Sequence, residues 1–303
     1  MAGQLVGTPV SMLGCDGREV ELAAALLERG VDLRLVGFPK EERLQKALHF
    51  QEATAAVQGT KAVIAPMSST DAAGRVTAHM LPPDLVIDLT EVIPRLSSGT
   101  PLLIGVARPV IRGLAAQYSL RLVELAEIEE IAILNAIPTA EGAIQVAMEN
   151  TAITIHNSRC LVLGFGRCGT ALARSLKGLG ARVTVCARSA QDLAGAFSLG
   201  CETLPLAALQ MRRDFDIIFN TIPAMVLPRS YLRQLERETV IVDIASGPGG
   251  TDFAAAQQLG LKAVHALSLP GRVAPKTAAA ILVKTVPRLL ENLLGEDDHG
   301  SDS

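Results

Sequence analysis

The densest chemical signal in the chain is Gly164-Phe165-Gly166-Arg167-Cys168-Gly169. It stands between a short apolar run, Cys160 to Leu163, and a segment of helical period from Thr170 to Leu179. Glycines at this spacing allow a tight turn, close approach of backbone to a pyrophosphate and close packing of helix on strand, with helix N–H groups facing the anion. Gly164, Gly166, Arg167 and Gly169 are therefore expected to contact a dinucleotide. Enzymes that use NAD commonly place an acidic residue about 20 positions further on, at the end of the next strand. Here Arg188 and Ser189 hold that corner. A guanidinium can pair with a 2′-phosphate, which favours NADP while leaving NAD open. Thr221 and Pro223, after a third strand, are expected to line the nicotinamide ribose pocket. The glycine-rich run Ala245 to Asp252 reads equally as pocket lining or as a turn before a helix capped by Asp252.

Other residues suit anion binding. In Pro66-Met67-Ser68-Ser69-Thr70, hydroxyls and amides at a strand end could cradle a carboxylate, and an ordinary Ser/Thr helix cap fits the same residues. Arg18 is a second carboxylate anchor, with Asp16 as its neighbour or as a helix cap. Lys276 falls in the first turn of the last helix, where the helix dipole disfavours a cation unless an anion is near. The histidines, His49, His79, His156, His265 and His299, show no ligand spacing. Only His265, at a strand end, is placed for catalysis, and a structural role fits it better. Five cysteines without a C-x-x-C pair argue against a disulfide framework or a zinc site. No G-x-S-x-G, H-E-x-x-H or P-loop string occurs, which leaves hydrolases and NTPases without support.

These residues need elements to hold them, and apolar runs alternate with helical stretches in the rhythm of parallel sheets covered by helices. Strands are expected at Val10 to Leu13, Asp32 to Val36, Ala62 to Ile64, Leu85 to Leu89, Leu102 to Ile104 and Arg121 to Glu124. A second series covers Cys160 to Leu163, Arg182 to Ala187, Asp216 to Phe219, Val240 to Ile244 and Ala263 to Ala266. The expectation is an α/β protein of two Rossmann-like, doubly wound parallel-sheet domains. The first, 1–138, would bind substrate. A helix over 139–151, capped by Thr139, would link it to an NAD(P)-binding domain at 152–272. A final helix over 273–295, with Pro275 at its start, would return to the first domain, and 296–303 would be a solvated acidic tail.

Composition narrows the partners. The 303 residues are 49% apolar and 19% charged, with a net charge of −3 and no tryptophan. Aromatics at 3% scarcely provide stacking surfaces, and the balanced charge offers no footprint for nucleic acid. No uninterrupted run of about 18 apolar residues points to a membrane, and Met1 to Val10 lacks the pattern of an export signal. A cytoplasmic protein is expected.

Taken together, the loops resemble those of the family formed by the dipicolinate synthase A subunits of spore-forming bacteria. The resemblance rests on Gly14-x-Asp16-x-Arg18, Pro66-x-Ser68-x-Thr70, Asn135 to Gly142, Gly164-Phe165-Gly166-Arg167, Ala187-Arg188-Ser189, Asn220-Thr221-Ile222-Pro223, Asp243 to Phe253 and Leu269 to Ala278. Ser268 departs from it where a glycine is usual, and Arg75 where a lysine is usual. The resemblance implies oxidation of a dihydrodipicolinate-type ring, or its hydrated precursor, by NADP or NAD. It further implies, as partner, the flavoprotein-like B subunit of dipicolinate synthase, and a role in the mother cell during sporulation. On this reading Arg18, Ser68 and Thr70 hold a carboxylate of a small dicarboxylate substrate, while Glu141 and Lys276 orient the ring or move a proton. A homo-oligomer is compatible with it. Two other readings stay open: a D-2-hydroxyacid or alanine dehydrogenase-like enzyme, for which a catalytic histidine with a carboxylate partner is missing, and a non-catalytic dinucleotide-binding scaffold for the B subunit.

Overall fold

The computed structural model describes residues 5–78 and 80–295; His79, His299 and the acidic tail lie outside them. The chain divides into two compact units, 1–132 with 275–303, and 133–274.

The first unit carries β1 (Pro9–Leu13), β2 (Asp32–Val36), β3 (Leu48–Phe50), β4 (Ala62–Ile64), β5 (Pro101–Ile104) and β6 (Arg121–Glu124). The second carries β7 (Arg159–Leu163), β8 (Arg182–Ala187), β9 (Glu202–Pro205), β10 (Ile217–Asn220), β11 (Val240–Asp243) and β12 (Lys262–His265). The sheets are ordered β3-β2-β1-β4-β5-β6 and β12-β11-β10-β7-β8-β9, with every neighbouring pair parallel. Numbered from its own first strand, each sheet runs 3-2-1-4-5-6, the doubly wound order. The order reverses between β1 and β4 in one unit and between β7 and β10 in the other. Loops at the carboxyl ends of those strands flank a crevice.

Burial explains why the strands read as apolar runs. In β7, Cys160 and Val162 join one core while Leu161 and Leu163 join another on the opposite face of the sheet. With both faces covered, successive residues must all be apolar. The last helix, Pro275–Gly295, buries Ile281, Leu282, Val286 and Leu290 and packs on the helix Gly17–Glu28 of its own unit. Arg288 and Lys284 on it both pair with Glu130.

Three local expectations are corrected. The segment Leu85 to Leu89 is not a strand. Pro82 and Pro83 precede it, Asp88 caps a short helix at Leu89–Val92 by accepting from the Thr90 amide at 2.8 Å, and isolated bridges, Thr70 with Val76 and Arg75 with Asp88, together with the Met80 amide donating to the Cys15 carbonyl, tie the loop down. Its apolar side chains serve instead as a cover: Leu81, Leu85 and Ile87 lie over Gly37, and Val76, Ala78 and Leu81 lie over Gly14. The helix expected over 139–151 runs from Glu129 to Asn150, with Pro138 inside it. Thr139 is therefore no cap; its hydroxyl donates to the Asn135 carbonyl one turn back, at 2.6 Å. Strands β3 and β9, at the sheet edges, add to the expected set; they escape the apolar-run pattern because an edge strand is covered on fewer sides, and these two are largely exposed. The helix Glu129–Asn150 is long and apolar enough by composition to cross a membrane, yet half of its most apolar stretch is buried within the protein.

Candidate functional site

The turn after β7 sorts its three glycines by purpose. Gly164 has φ +92° and leads the chain out of the strand, and a Cβ there would lie 2.4 Å from Thr221 Oγ1. At Gly169 a Cβ would come within 2.3 Å of the Gly164 carbonyl oxygen, so both positions are glycine because the protein packs against them. Gly166 is different: nothing lies within 4 Å of where its Cβ would be. It sits at the N-cap of the helix Arg167–Gly178, and no side chain caps that end. Backbone amides at the positive end of a helix dipole thus face open space, the arrangement that receives a phosphate.

Two depressions meet at Gly164. One, of about 450 Å³, is lined by Gly164, Gly166, Arg167, Cys168, Thr221, Ile222, Pro223 and the residues Ile244, Ala245 and Ser246. The other, of about 320 Å³, has Arg188, Ser189 and Asp192 at its polar end and Leu206, Ile222, Ala224 and Val226 as an apolar wall. All eight expected cofactor residues except Gly169 line one depression or the other, and Gly169 supports the turn beneath. Thr221 also braces it, donating its hydroxyl to the Leu163 carbonyl at 2.8 Å. Arg188 is exposed and has no carboxylate partner among the described residues, while Ser189 caps the next helix by accepting from the Asp192 amide at 3.0 Å. This donor set fits a nicotinamide dinucleotide, whose pyrophosphate the Gly166 turn would hold.

Asp243, which the family resemblance includes only as the first residue of a string and without a role, organises the far wall. Fully buried at the end of β11, it accepts from the Ala245 amide at 3.0 Å, the Gly250 amide at 2.8 Å and the Thr251 hydroxyl at 2.7 Å. The glycine-rich run therefore divides its labour: Ile244 to Ser246 line the cavity, Gly249 to Thr251 fold back on Asp243, and Asp252 caps a helix through the Ala255 amide. His265 donates to the Ala245 carbonyl at 3.1 Å and stacks on Phe253, a structural role. An aspartate close behind the apolar run Val240 to Val242, with Gly247, Gly249 and Gly250 after it, was the available signal for this network.

The first unit treats its corresponding turn otherwise. Asp16 caps the helix Gly17–Glu28 and also grips Arg18, whose Nε lies 3.1 Å from both carboxylate oxygens. Both side chains are about nine-tenths buried, at 11% and 12% exposure. Burial opposes the Asp16 charge, but the hydrogen bonds of Arg18 outweigh it and hold the carboxyl down at about 2. Glu19 reaches across the crevice, accepting from the Asp16 amide at 2.9 Å and the Met67 amide at 2.9 Å. Burial first, and then Asp16 beside it, push the Glu19 carboxyl up to about 8.

The loop that Glu19 holds contains Ser68 and Thr70. Ser69 between them has φ +69° and hydrogen-bonds the Val106 carbonyl. Ser68 Oγ and Thr70 Oγ1 are both buried without a hydrogen-bond partner, an arrangement that costs free energy unless a ligand satisfies them. Arg75 is held by Asp71 at 2.8 Å. Lys276 stands exposed in the first turn of the last helix, in this unit. Glu141 belongs to the other unit, exposed on the helix Glu129–Asn150, without a hydrogen bond or ion pair to a described residue. Ser268 adopts φ +55°, so the glycine usual there would relieve strain.

Strand order and turn define a two-domain oxidoreductase that takes a nicotinamide dinucleotide. Residues 9–126 match the family described as the N-terminal domain of the dipicolinate synthase A subunit, and 136–263 match the NAD binding domain of D-isomer specific 2-hydroxyacid dehydrogenases. Over 295 residues the chain is 36% identical to the dipicolinate synthase A subunit of Bacillus subtilis strain 168, covering 97% of this chain and 99% of that one. The crystal structure of the A subunit from Bacillus halodurans superposes with a TM-score of 0.90 at 36% identity, covering 95% of this chain and 99% of the other. Escherichia coli D-lactate dehydrogenase, at 17% identity and a TM-score of 0.60 over 92% of this chain and 95% of that one, shares the fold alone. This chain belongs to the family of dipicolinate synthase A subunits.

Proposed function

We propose that the chain oxidises a dihydrodipicolinate-type ring, or its hydrated precursor, to pyridine-2,6-dicarboxylate, with NADP favoured over NAD. It acts as the A subunit of the synthase, paired with a flavoprotein-like B subunit, in the mother-cell cytoplasm of a sporulating bacterium. The observation that carries this furthest is the open helix end at Gly166, which lines one of two cavities meeting at Gly164, with Arg188, unpaired among the described residues, lining the other, in a chain of this family. Arg188 supports the choice of NADP, since a guanidinium without a partner can take a 2′-phosphate in a bidentate pair.

The dihydro ring loses a hydride and a proton as it becomes aromatic, and the hydrated precursor also releases a water. When bound, the nicotinamide supplies the two-electron acceptor for that hydride. The protein's own task is positioning. Ser68 and Thr70 offer two buried hydroxyls that lack partners, the form a carboxylate acceptor requires. Arg18 directs Nε and Nη2 at Asp16, and the two Nη1 protons with the second Nη2 proton are the donors left for substrate. Glu141 and Lys276, both exposed, are assigned ring orientation or uptake of the proton.

The test is to incubate the protein, with and without its B subunit, with the dihydrodipicolinate precursor and NADP or NAD, and to follow the absorbance of the pyridine product. Product formation with faster turnover on NADP is expected. No product in any combination, with dinucleotide still bound, overturns catalysis and leaves the scaffold reading.

A further inference from the structure

Arg108 belongs to no sequence motif. It ends the loop that leaves β5, and that loop is pressed against the Ser68 loop. A Cβ at Gly105 would lie 2.3 Å from the Met67 carbonyl oxygen, so the two backbones touch. Ser69 bonds Val106, and the Glu124 carboxylate accepts from the Ala107 amide at 2.8 Å, fixing the next residue. Arg108 is itself the N-cap of the helix Pro109–Gln117, with Pro109 as the first helical residue and no side chain capping the end.

Its guanidinium donates from Nε to the Thr70 carbonyl at 3.3 Å. Thr70 is 3% exposed, and its hydroxyl has no partner. The neighbouring arginines are spoken for: Arg112 pairs with Glu124 at 2.9 Å and Arg75 with Asp71 at 2.8 Å. Arg108 is exposed and has no carboxylate partner among the described residues. An uncompensated guanidinium and the positive end of a helix thus meet the backbone of the residue whose buried hydroxyl lacks a partner.

We propose that Arg108 and Thr70 form a carboxylate-binding subsite for the substrate. The proposal rests on the dicarboxylate reading of the function and adds a residue to it. A carboxylate there accepts from the guanidinium and from the Thr70 hydroxyl, which pairs an otherwise costly buried group. With Arg18 paired to Asp16, Arg108 is the stronger anchor of the two.

Calorimetric titration of pyridine-2,6-dicarboxylate into the whole protein, in the presence of dinucleotide, tests this without requiring turnover. Arg108→Ala is expected to weaken binding about 10-fold or more, and Arg108→Lys to recover part of the loss. Thr70→Val should weaken binding while leaving the melting temperature unchanged or higher, because it removes an unpaired buried hydroxyl. Dinucleotide affinity should not change in any of the three. Wild-type binding with equal affinity in Arg108→Ala overturns the subsite alone. A wild type that binds no dicarboxylate overturns both the subsite and the substrate reading. A chain that binds dicarboxylate through Arg108 yet oxidises nothing keeps the subsite and fails only the catalytic proposal.

Discussion

Gly14-Cys15-Asp16-Gly17-Arg18-Glu19 and Gly164-Phe165-Gly166-Arg167-Cys168-Gly169 occupy the same place in two sheets of identical strand order. In both, a glycine of positive φ leaves the first strand, and a helix begins three residues later. The contents then diverge. Where the second unit has Gly166 at the N-cap, the first has Asp16, which occupies the helix end with its own carboxylate. Where the second has Gly169, the first has Glu19, which stitches the β1 turn to the β4 loop through the Met67 amide. Val76 and Leu81 then cover Gly14. A helix end can hold one anion, and the first unit supplies it internally. The doubly wound order provides the crevice, and the side chains at two positions decide whether a dinucleotide can enter.

The largest expected effect breaks the filled turn. Asp16→Ala would leave Arg18 buried without its partner and the helix without its cap, costing about 3–5 kcal/mol in chemical denaturation. Glu19→Gln sharpens the same point through pH. The carboxyl is raised from 4.5 to about 8 in the folded protein, so its favourable contribution is complete below about pH 4.5 and is lost as pH rises towards 8. Between pH 5 and 8 the wild type should lose stability relative to Glu19→Gln by on the order of 1 kcal/mol per unit. Parallel pH profiles would show that Glu19 does not titrate there.

Gly166→Asp converts the open turn into a copy of the filled one. Thermal stability should hold or rise by a few tenths of a kcal/mol, because aspartate is a good cap, while dinucleotide affinity falls about 100-fold or more by charge repulsion. Retained binding would mean that the pyrophosphate sits elsewhere. Arg188→Ala should weaken NADP about 10-fold and leave NAD nearly unchanged by fluorescence titration; equal losses would remove the argument for NADP. The smallest effect is Ser268→Gly, expected to raise stability by less than about 1 kcal/mol by relieving a left-handed backbone, measured as a shift in unfolding midpoint.

Much of this was legible in residue order. The inner strands read directly because burial on both faces demands continuous apolar runs such as Cys160 to Leu163. Strands β3 and β9 did not, since an edge needs fewer apolar residues. The start of the helix at Glu129 was hidden by Pro138 and Thr139, which imitate a start signal when the supporting contacts are out of view. In the candidate site, the glycines, Arg188 and Thr221 declared themselves by spacing from a strand. Asp243 and Arg108 did not, because their importance comes from partners reached by folding: amides up to seven residues ahead for one, and a carbonyl 38 residues back for the other.

By itself, then, the sequence determined two α/β halves, a dinucleotide turn in the second and membership of a family, because local spacing and apolar periodicity act over a few residues. Only the tertiary structure decided how the first turn is closed off. Glu19 meets Met67 48 residues away, and Gly105 meets the same residue from the other side. Such meetings depend on how distant loops converge at the ends of parallel strands, and no window of local sequence contains them.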